Sequence, residues 1–185
     1  MLLGFVLFAL PPLSLLSLLV YGPVYFHNRK IYGRRPFSRH LCLYLLIGEL
    51  LSLLYLTIFW YGWDITFAPP YHFLNLHPFI WVTETYDMGV LAMARQLAAN
   101  VGMFVPLGLL LPMVFASCRR WWKTGLFTLT VTLSIETFQY FIGRSADIDD
   151  VIMNLAGGLL GYGLFTLGRR CLGRARWWKN ALDLR

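Results

Sequence analysis

Two acid–amide pairs, separated by a short polar turn, are the residues of this sequence best suited to chemistry. Glu136 and Gln139 are three residues apart and therefore share one face of a helix. After the turn, Asp150 and Asn154 are four residues apart and share a face of the next helix. Both flanking segments are apolar enough to lie in a membrane, where a buried carboxylate is costly and marks a functional site by default. The spacing therefore predicts a polar pocket between two membrane helices.

The composition places these pairs in a membrane protein. Of the 185 residues, 58% are hydrophobic and 14% are charged. A soluble domain has roughly 45–50% apolar and about 25% charged residues. The net charge of +7 could indicate a nucleic-acid-binding protein, but the basic residues lie in the connections between apolar segments. We therefore expect no nucleic-acid partner and a single membrane domain over residues 1–185.

Five segments are long enough to cross a hydrocarbon core, which needs about 20 apolar residues. They are Leu2–Phe26, Leu41–Tyr61, Leu97–Ser117, Thr124–Ile142 and Val151–Leu167. Fourteen of the 16 Lys and Arg residues fall on one side of the membrane, leaving Arg95 and Arg144 on the other. The positive-inside rule then predicts an outside N-terminus and a cytoplasmic C-terminus. The expected fold is an all-α integral membrane bundle of about five transmembrane helices.

The strongly polar residues of the last three predicted spans fall at one level, the outer third of the bilayer. We expect Arg95 to pair with the acidic turn, because it is one of only two basic residues on that side. The longest connection, Gly62–Ala94, is predicted to be an outer loop with a helical turn near Met88–Ala94. The predicted binding residues are Arg95, Asn100, Glu136, Gln139, Arg144, Asp147, Asp150 and Asn154.

A structural interpretation of the same residues stands beside the functional one. The polar side chains would then form a satisfied network that fixes helix register, with each interhelical hydrogen bond contributing about 0.6–2 kcal/mol. Gly157 and Gly161 have the spacing that permits tight packing of two helices. The sequence has no Cys-x-x-Cys and no paired histidine spacing, so neither a metal site nor a cofactor is expected.

Several of these residues belong to an ordered set of motifs. The set comprises NLHPF at 75–79, NVGMFVPLG at 100–108, IETFQ at 135–139 and DIDDVIMN at 147–154. It resembles the VanZ-like family of bacterial membrane proteins over residues 75–162. The resemblance implies a multi-pass protein of the bacterial cytoplasmic membrane with a role in the cell envelope. The founding member is associated with resistance to the glycopeptide teicoplanin, so a link to such resistance is also implied.

Two functions stay open from the sequence. A non-enzymatic protein would bind membrane lipids, a cell-wall precursor or a lipid-tailed glycopeptide in the outward pocket, with Arg95 and Arg144 contacting an anionic group. An intramembrane enzyme acting on a lipid phosphate or a polyprenyl-linked substrate would use Glu136 as a general base together with Asp150. In that case Asp147, Asp149 and Asp150 could hold magnesium. The non-enzymatic function is favoured, because the sequence shows no nucleophile–base pair.

Overall fold

The computed structural model describes residues 9–59 and 74–182, and most of these residues are helical. The α-helices are α1 (Leu10–Tyr32), α2 (Phe37–Leu54), α3 (Trp81–Met88), α4 (Val90–Val114), α5 (Trp121–Phe141), α6 (Ile148–Leu172) and α7 (Arg176–Ala181). A π-helical turn, Tyr55–Phe59, extends α2, and a 3₁₀ turn, Ala116–Arg119, separates α4 from α5. Two-residue strands, β1 (Leu74–Asn75) and β2 (Ala146–Asp147), pair in parallel. The prediction of an all-α protein is confirmed.

Three of the described helices are long and apolar enough to cross a membrane, as judged by length and composition. They are Phe37–Ile58, Val90–Val114 and Ile148–Leu172, which correspond to the second, third and fifth predicted spans. Helix α5 lies on the fourth predicted span but is not among these three helices. The first predicted span lies partly outside the described residues. The five-span topology and its orientation therefore stay predictions.

The centre of the bundle is a glycine-mediated contact between α4 and α6. A Cβ atom at Gly108 would collide with the backbone carbonyl of Gly158, and one at Gly161 would collide with the carbonyl of Val105. Gly157 packs in the same way against the carbonyl of Val101. The two helices run parallel, because residues of rising number meet in order. The predicted tight packing through Gly157 and Gly161 is confirmed, and it fixes α4 and α6 relative to each other.

Helix α5 packs antiparallel against α6 through small polar residues. Thr124, Thr128 and Thr132 recur every four residues and are fully buried. A Cβ atom at Gly158 would collide with the side chain of Thr128, so the glycine and the threonine fit each other. Larger apolar side chains fill the core around α2, α4 and α6, with Phe104 and Phe165 completely buried.

The long connection between the second and third predicted spans is more structured than we expected. Its residues 81–94 are helical, since they form α3 and the start of α4. Gly89 adopts a φ of 85°, which lets the chain turn between the two helices without leaving helical structure on either side. The loop prediction was wrong at 81–88, which form α3, whereas the helical turn predicted near Met88–Ala94 agrees with the start of α4 at Val90. Residues 62–73 lie outside the described chain.

The bundle has two chemically different ends. The acidic end is where α4 and α6 begin and α5 finishes, and it carries Glu136, Asp147, Asp149 and Asp150. The basic end is where α4 and α6 finish and α2 and α5 begin. It carries the basic residues of the segments at 29–39, 119–123 and 169–179. The candidate functional residues lie at the acidic end.

Candidate functional site

The turn between α5 and α6 is closed by carboxylates that accept backbone hydrogen bonds. Helix α5 ends at Phe141, Gly143 in the following turn has a φ of 80°, and the N–H of Arg144 donates to the carbonyl of Gln139 at 2.9 Å. The N–H of Asp147 donates to Glu136 Oε2 at 2.9 Å. Asp147 then caps α6, because its Oδ1 accepts from the N–H of Asp149 at 2.9 Å. Two neighbouring helices are thus joined through their acidic side chains.

The same turn is tied to the chain before α3 by the pairing of β1 and β2. Asn75 lies opposite Asp147 in this pairing. Its Nδ2 is 3.1 Å from both carboxylate oxygens of Asp147. Its Oδ1 accepts from the N–H of His77 at 3.0 Å, which shapes the following turn. Asn75 therefore links the chain before α3 to Asp147 at the start of α6, which is 72 residues later in the sequence.

Asp149 holds the entry to α3. This side chain is only 5% exposed. Its Oδ1 accepts from the N–H of Phe79 at 2.6 Å, and its Oδ2 lies 3.4 Å from the N–H of Trp81. An anionic acceptor suits this position, because the first N–H groups of a helix have no partner within the helix. Asp149 is consequently a structural contact between α6 and α3.

Two side chains, one from the last turns of α5 and one from the turn that follows it, donate to one backbone carbonyl in the π-helical turn after α2. Gln139 Nε2 donates to the carbonyl oxygen of Thr57 at 2.9 Å, and Arg144 Nη1 donates to the same oxygen. Thr57 lies in the π-helical turn that ends α2. Helical irregularities of this kind expose backbone groups to other partners and recur at functional sites. The contact brings a fourth chain segment to the acidic end.

The inner part of the cluster is a row of amides and carboxylates along the helices. Asn100 Nδ2, from α4, donates to Asp150 Oδ1 at 2.5 Å. One turn deeper, Asn154 Nδ2 donates to Thr132 Oγ1 at 2.9 Å. Glu136 lies one turn above Thr132 on α5 and interacts electrostatically with Asp150. Helices α4, α5 and α6 therefore all contribute to one polar layer.

Seven of the eight predicted binding residues meet in this cluster, and Arg95 does not. The seven are Asn100, Glu136, Gln139, Arg144, Asp147, Asp150 and Asn154. Arg95 is exposed on the first turns of α4, and it makes no hydrogen bond or ion pair with any residue of the described chain. Its predicted pairing with the acidic turn is therefore not formed there. Charge balance alone was the argument for that pairing, and an exposed arginine is satisfied by solvent instead.

Three acceptors of the inner row carry no hydrogen bond within residues 9–59 and 74–182. They are Glu136 Oε1, Asp150 Oδ2 and Asn154 Oδ1. The amide oxygen of Asn154 is buried, and an unpaired buried acceptor is costly. Asp147 and Asp149, in contrast, use both carboxylate oxygens in contacts with the protein. The unused groups of the cluster therefore accept hydrogen bonds and belong to facing helices.

The acidic residues of the cluster do not converge as ligands of a metal ion. Among the described residues, no three His, Cys, Asp or Glu side chains are arranged to hold one. The oxygens of Asp147 and Asp149 face Asn75 and the N–H groups of Phe79 and Trp81. The magnesium site considered for the enzymatic function is therefore not supported by these carboxylates.

Some residues of the cluster were not predicted as site residues. Asn75 entered the sequence argument only through its motif, and Asp149 only through the magnesium alternative. Thr57 contributes a backbone carbonyl, which no side-chain pattern reports. Thr132 was detectable in principle, because it belongs to the buried threonine row of α5 at four-residue spacing.

Comparison with known proteins shows the family of the chain. The family model described as VanZ/LLP1 matches residues 41–169. Protein VanZ of Enterococcus faecium is 35% identical over 129 residues, which covers 68% of this chain and 74% of that protein. No solved structure matches the chain significantly. The family match begins in α2, so it extends further toward the N-terminus than the motifs at 75–162.

Proposed function

Because the chain belongs to the VanZ/LLP1 family, we propose that it acts in the bacterial cell envelope by binding the polar end of an amphiphile at its acidic end. The bound molecule would keep its apolar part among the membrane helices and insert its polar group into the cluster. In this proposal, any contribution to resistance against teicoplanin-type glycopeptides follows from such binding. The protein would then work by sequestering or orienting an envelope molecule, without changing it chemically.

The unused acceptors carry this proposal. Glu136, Asp150 and Asn154 each have an oxygen without a hydrogen bond in the described chain, and they come from two facing helices. A partner that donates hydrogen bonds, such as an ammonium or hydroxyl group, would suit such acceptors. An aminophospholipid headgroup, a cell-wall precursor and a lipid-tailed glycopeptide all carry such groups.

The arginines support an anionic ligand less well than the sequence suggested. Arg144 already donates to the carbonyl of Thr57, and Arg95 lies exposed outside the hydrogen-bonded cluster. The cluster itself has four carboxylates, Glu136, Asp147, Asp149 and Asp150, beside Arg144. A group that is neutral or positively charged and donates hydrogen bonds therefore fits this environment better than a phosphate does.

The direct test is native mass spectrometry of the protein purified in a mild detergent, with identification of the bound lipids. Glu136→Gln retains an acceptor for the N–H of Asp147 but replaces the unused oxygen with a donor. We expect it to lower the occupancy of the specific ligand about tenfold. In the wild type a carboxylate oxygen accepts from the donor group of the ligand, whereas in the variant the amide NH₂ faces that donor group. Glu84→Gln, on the exposed face of α3, is the matched control and should retain the ligand.

Two results would count against binding at the acidic end. An equal set of bound lipids on wild type, Glu136→Gln and Glu84→Gln would favour a cluster that only fixes helix register. A lipid phosphate or polyprenyl-linked compound that is converted by wild type and not by Asp150→Asn would favour the enzymatic alternative. That alternative uses the same two carboxyl groups, Glu136 and Asp150, and turnover is the readout that separates it from binding.

A further inference from the structure

The basic end holds a cavity that the function proposed for the acidic end does not use. It lies between the last turns of α1 and the first turn of α2 and has a volume of about 550 Å³. Tyr21, Tyr25 and Arg29 line one side of it, since their four-residue spacing places them on one face of α1. Arg34, Arg35 and His40 line the other side. Three guanidinium groups and several hydroxyl or imidazole groups thus surround one space.

Four of the side chains around this cavity contact each other. The hydroxyl of Tyr21 is 2.6 Å from His40 Nδ1, and Arg29 Nη1 donates to the hydroxyl of Tyr25 at 3.0 Å. The rings of Tyr25 and His40 lie 5.0 Å apart. Because these groups are ordered in the protein alone, a ligand would lose less side-chain entropy on binding than it would on a flexible basic segment.

The described part of the cavity is basic. The segment at 27–40 contains five Lys and Arg residues and no Asp or Glu. Among the described residues that line the cavity, none is acidic. Arginine guanidinium groups bind phosphate oxygens through paired, charge-assisted hydrogen bonds. The cavity therefore matches an anionic phosphate group in charge and in the hydrogen-bond donors that line it.

Arg39 shows that the arginines of this segment have different roles. Its Nη1 donates to the carbonyls of Met113 and Ala181, at 2.6 Å and 3.3 Å, and its Nη2 donates to the carbonyl of Val114. Arg39 thereby joins the ends of α4 and α7 to α2. It does not line the cavity, whereas Arg29 and Arg34 do. The positive charge of the segment is thus divided between a structural contact and an open site.

The surroundings of the cavity favour a phosphate carried by a lipid. Phe37, which lines the cavity, is 79% exposed, and Phe26 on the adjacent turn of α1 is 70% exposed. Aromatic side chains beside basic residues are typical of the boundary between hydrocarbon and water. We propose that this cavity binds the phosphate group of an anionic phospholipid, separately from the ligand of the acidic end.

The test compares two double variants of the full-length protein that lose the same charge. Arg29→Ala/Arg34→Ala removes two arginines from the cavity, and Lys30→Ala/Arg120→Ala removes two exposed basic residues of the same end outside it. Phosphatidylglycerol is titrated into each protein in a neutral detergent, and the dissociation constant is measured by native mass spectrometry. Phosphatidylcholine serves as the lipid without net charge.

We expect the cavity variant to bind phosphatidylglycerol about tenfold more weakly than wild type, because charge-assisted hydrogen bonds are lost. The control variant should stay within about twofold, since surface charges act weakly once they are screened. Equal weakening in both variants would overturn the proposal and leave only a non-specific basic surface. Unchanged binding in the cavity variant, with circular dichroism showing an intact fold, would overturn it as well.

A competition experiment decides where the phosphate comes from. Inorganic phosphate is added in excess to the lipid-bound wild type at constant ionic strength. No displacement would restrict the site to a phosphate carried by a lipid, as proposed. Inorganic phosphate could instead displace phosphatidylglycerol from the wild type but leave the lipid that still binds to Arg29→Ala/Arg34→Ala in place. That result would assign the cavity to soluble phosphate compounds and overturn the lipid source.

Discussion

At both ends of the bundle, charged side chains form hydrogen bonds with backbone groups at helix ends, but the charges are opposite. At the acidic end, Asp147 and Asp149 accept hydrogen bonds from N–H groups at the starts of α6 and α3. At the basic end, Arg39 and Arg119 donate to carbonyls at the ends of α4 and α7. Unpaired N–H groups at helix starts attract anions, and unpaired carbonyls at helix ends attract cations.

The residues that bond to helix ends differ from other members of the acidic cluster in which atoms are left without a partner. Arg39 and Arg119 each contact two or more carbonyls, so their binding capacity is used within the protein. At the acidic end, Glu136, Asp150 and Asn154 retain oxygens without partners in the described chain. A charged residue is therefore a weak indication of function by itself. The atoms that have no partner after the helix ends are satisfied are the better indication.

The largest expected change in stability concerns the α4–α6 contact, which connects the acidic and the basic end. Gly108→Ala would push a methyl group into the backbone carbonyl of Gly158, which cannot rotate away. We expect a loss of about 3 kcal/mol of stability and a Tm lower by roughly 6–12 °C. Thermal unfolding in detergent measures it. Gly102→Ala, on the same helix with no heavy atom near the new methyl group, should leave Tm unchanged or slightly higher. Similar Tm values for both variants would show that α4 and α6 are not in close contact.

The next effect concerns the basic end. Arg39→Ala leaves the carbonyls of Met113, Val114 and Ala181 without their shared donor. We expect a loss of about 2–3 kcal/mol, as for hydrogen bonds to a charged group. Arg120→Ala removes the same charge from an exposed position and should change stability by less than about 0.5 kcal/mol. If the two variants were equally stable, the arginines of this end would act only through net charge.

The corresponding change at the acidic end should be somewhat smaller. Asp149→Ala removes the acceptor for the N–H groups of Phe79 and Trp81, at a cost of about 2 kcal/mol. Hydrogen exchange should speed up at these two amides first, because α3 loses its contact with α6. Asp87→Ala, at an exposed site on α3, provides the control. Unchanged exchange at residues 79 and 81 would contradict the proposed contact.

The smallest effect compares a part-buried hydrogen bond at the basic end with an exposed hydrogen bond between α1 and α2. Tyr162→Phe deletes only the hydroxyl that donates to the carbonyl of Arg119 at 2.8 Å, and should cost about 1 kcal/mol. Tyr44→Phe deletes an exposed hydroxyl that donates to the carbonyl of Ser14 at 3.1 Å. The Ser14 carbonyl lies inside α1 and keeps its bond within the helix, so a change of only a few tenths of a kcal/mol is expected. A larger loss for Tyr44→Phe than for Tyr162→Phe would reverse this order.

The sequence predicted the parts of the site that depend on local spacing. Glu136 with Gln139, and Asp150 with Asn154, could be placed on helix faces because the α-helical repeat is regular. The glycine pair Gly157 and Gly161 was predictable for the same reason. The helical class and the membrane character followed from composition, and three of the five predicted spans have helices of the required length and apolarity.

The parts that were missed depend on contacts between distant segments. Asn75 and Asp147 are 72 residues apart, and Gln139 and Thr57 are 82 residues apart. No periodicity within one segment records such pairs. Arg95 was assigned to the acidic turn from charge alone, and charge does not specify whether a long side chain turns toward a neighbour or toward solvent. Helix α3 at Trp81–Met88 was missed, because it is short and Gly89 separates it from α4.

The contact at Thr57 has a consequence for how this protein can change during evolution. Gln139 and Arg144 both donate to the main-chain oxygen of Thr57, whereas the Thr57 hydroxyl donates to the carbonyl of Leu53. Any residue that preserves the π-helical turn would present the same oxygen. We therefore expect related proteins to vary freely at position 57 while they retain the donors at positions 139 and 144. The acceptor of this contact thus depends on the backbone conformation at position 57, and a substitution of the side chain there leaves the hydrogen bonds of Gln139 and Arg144 unchanged.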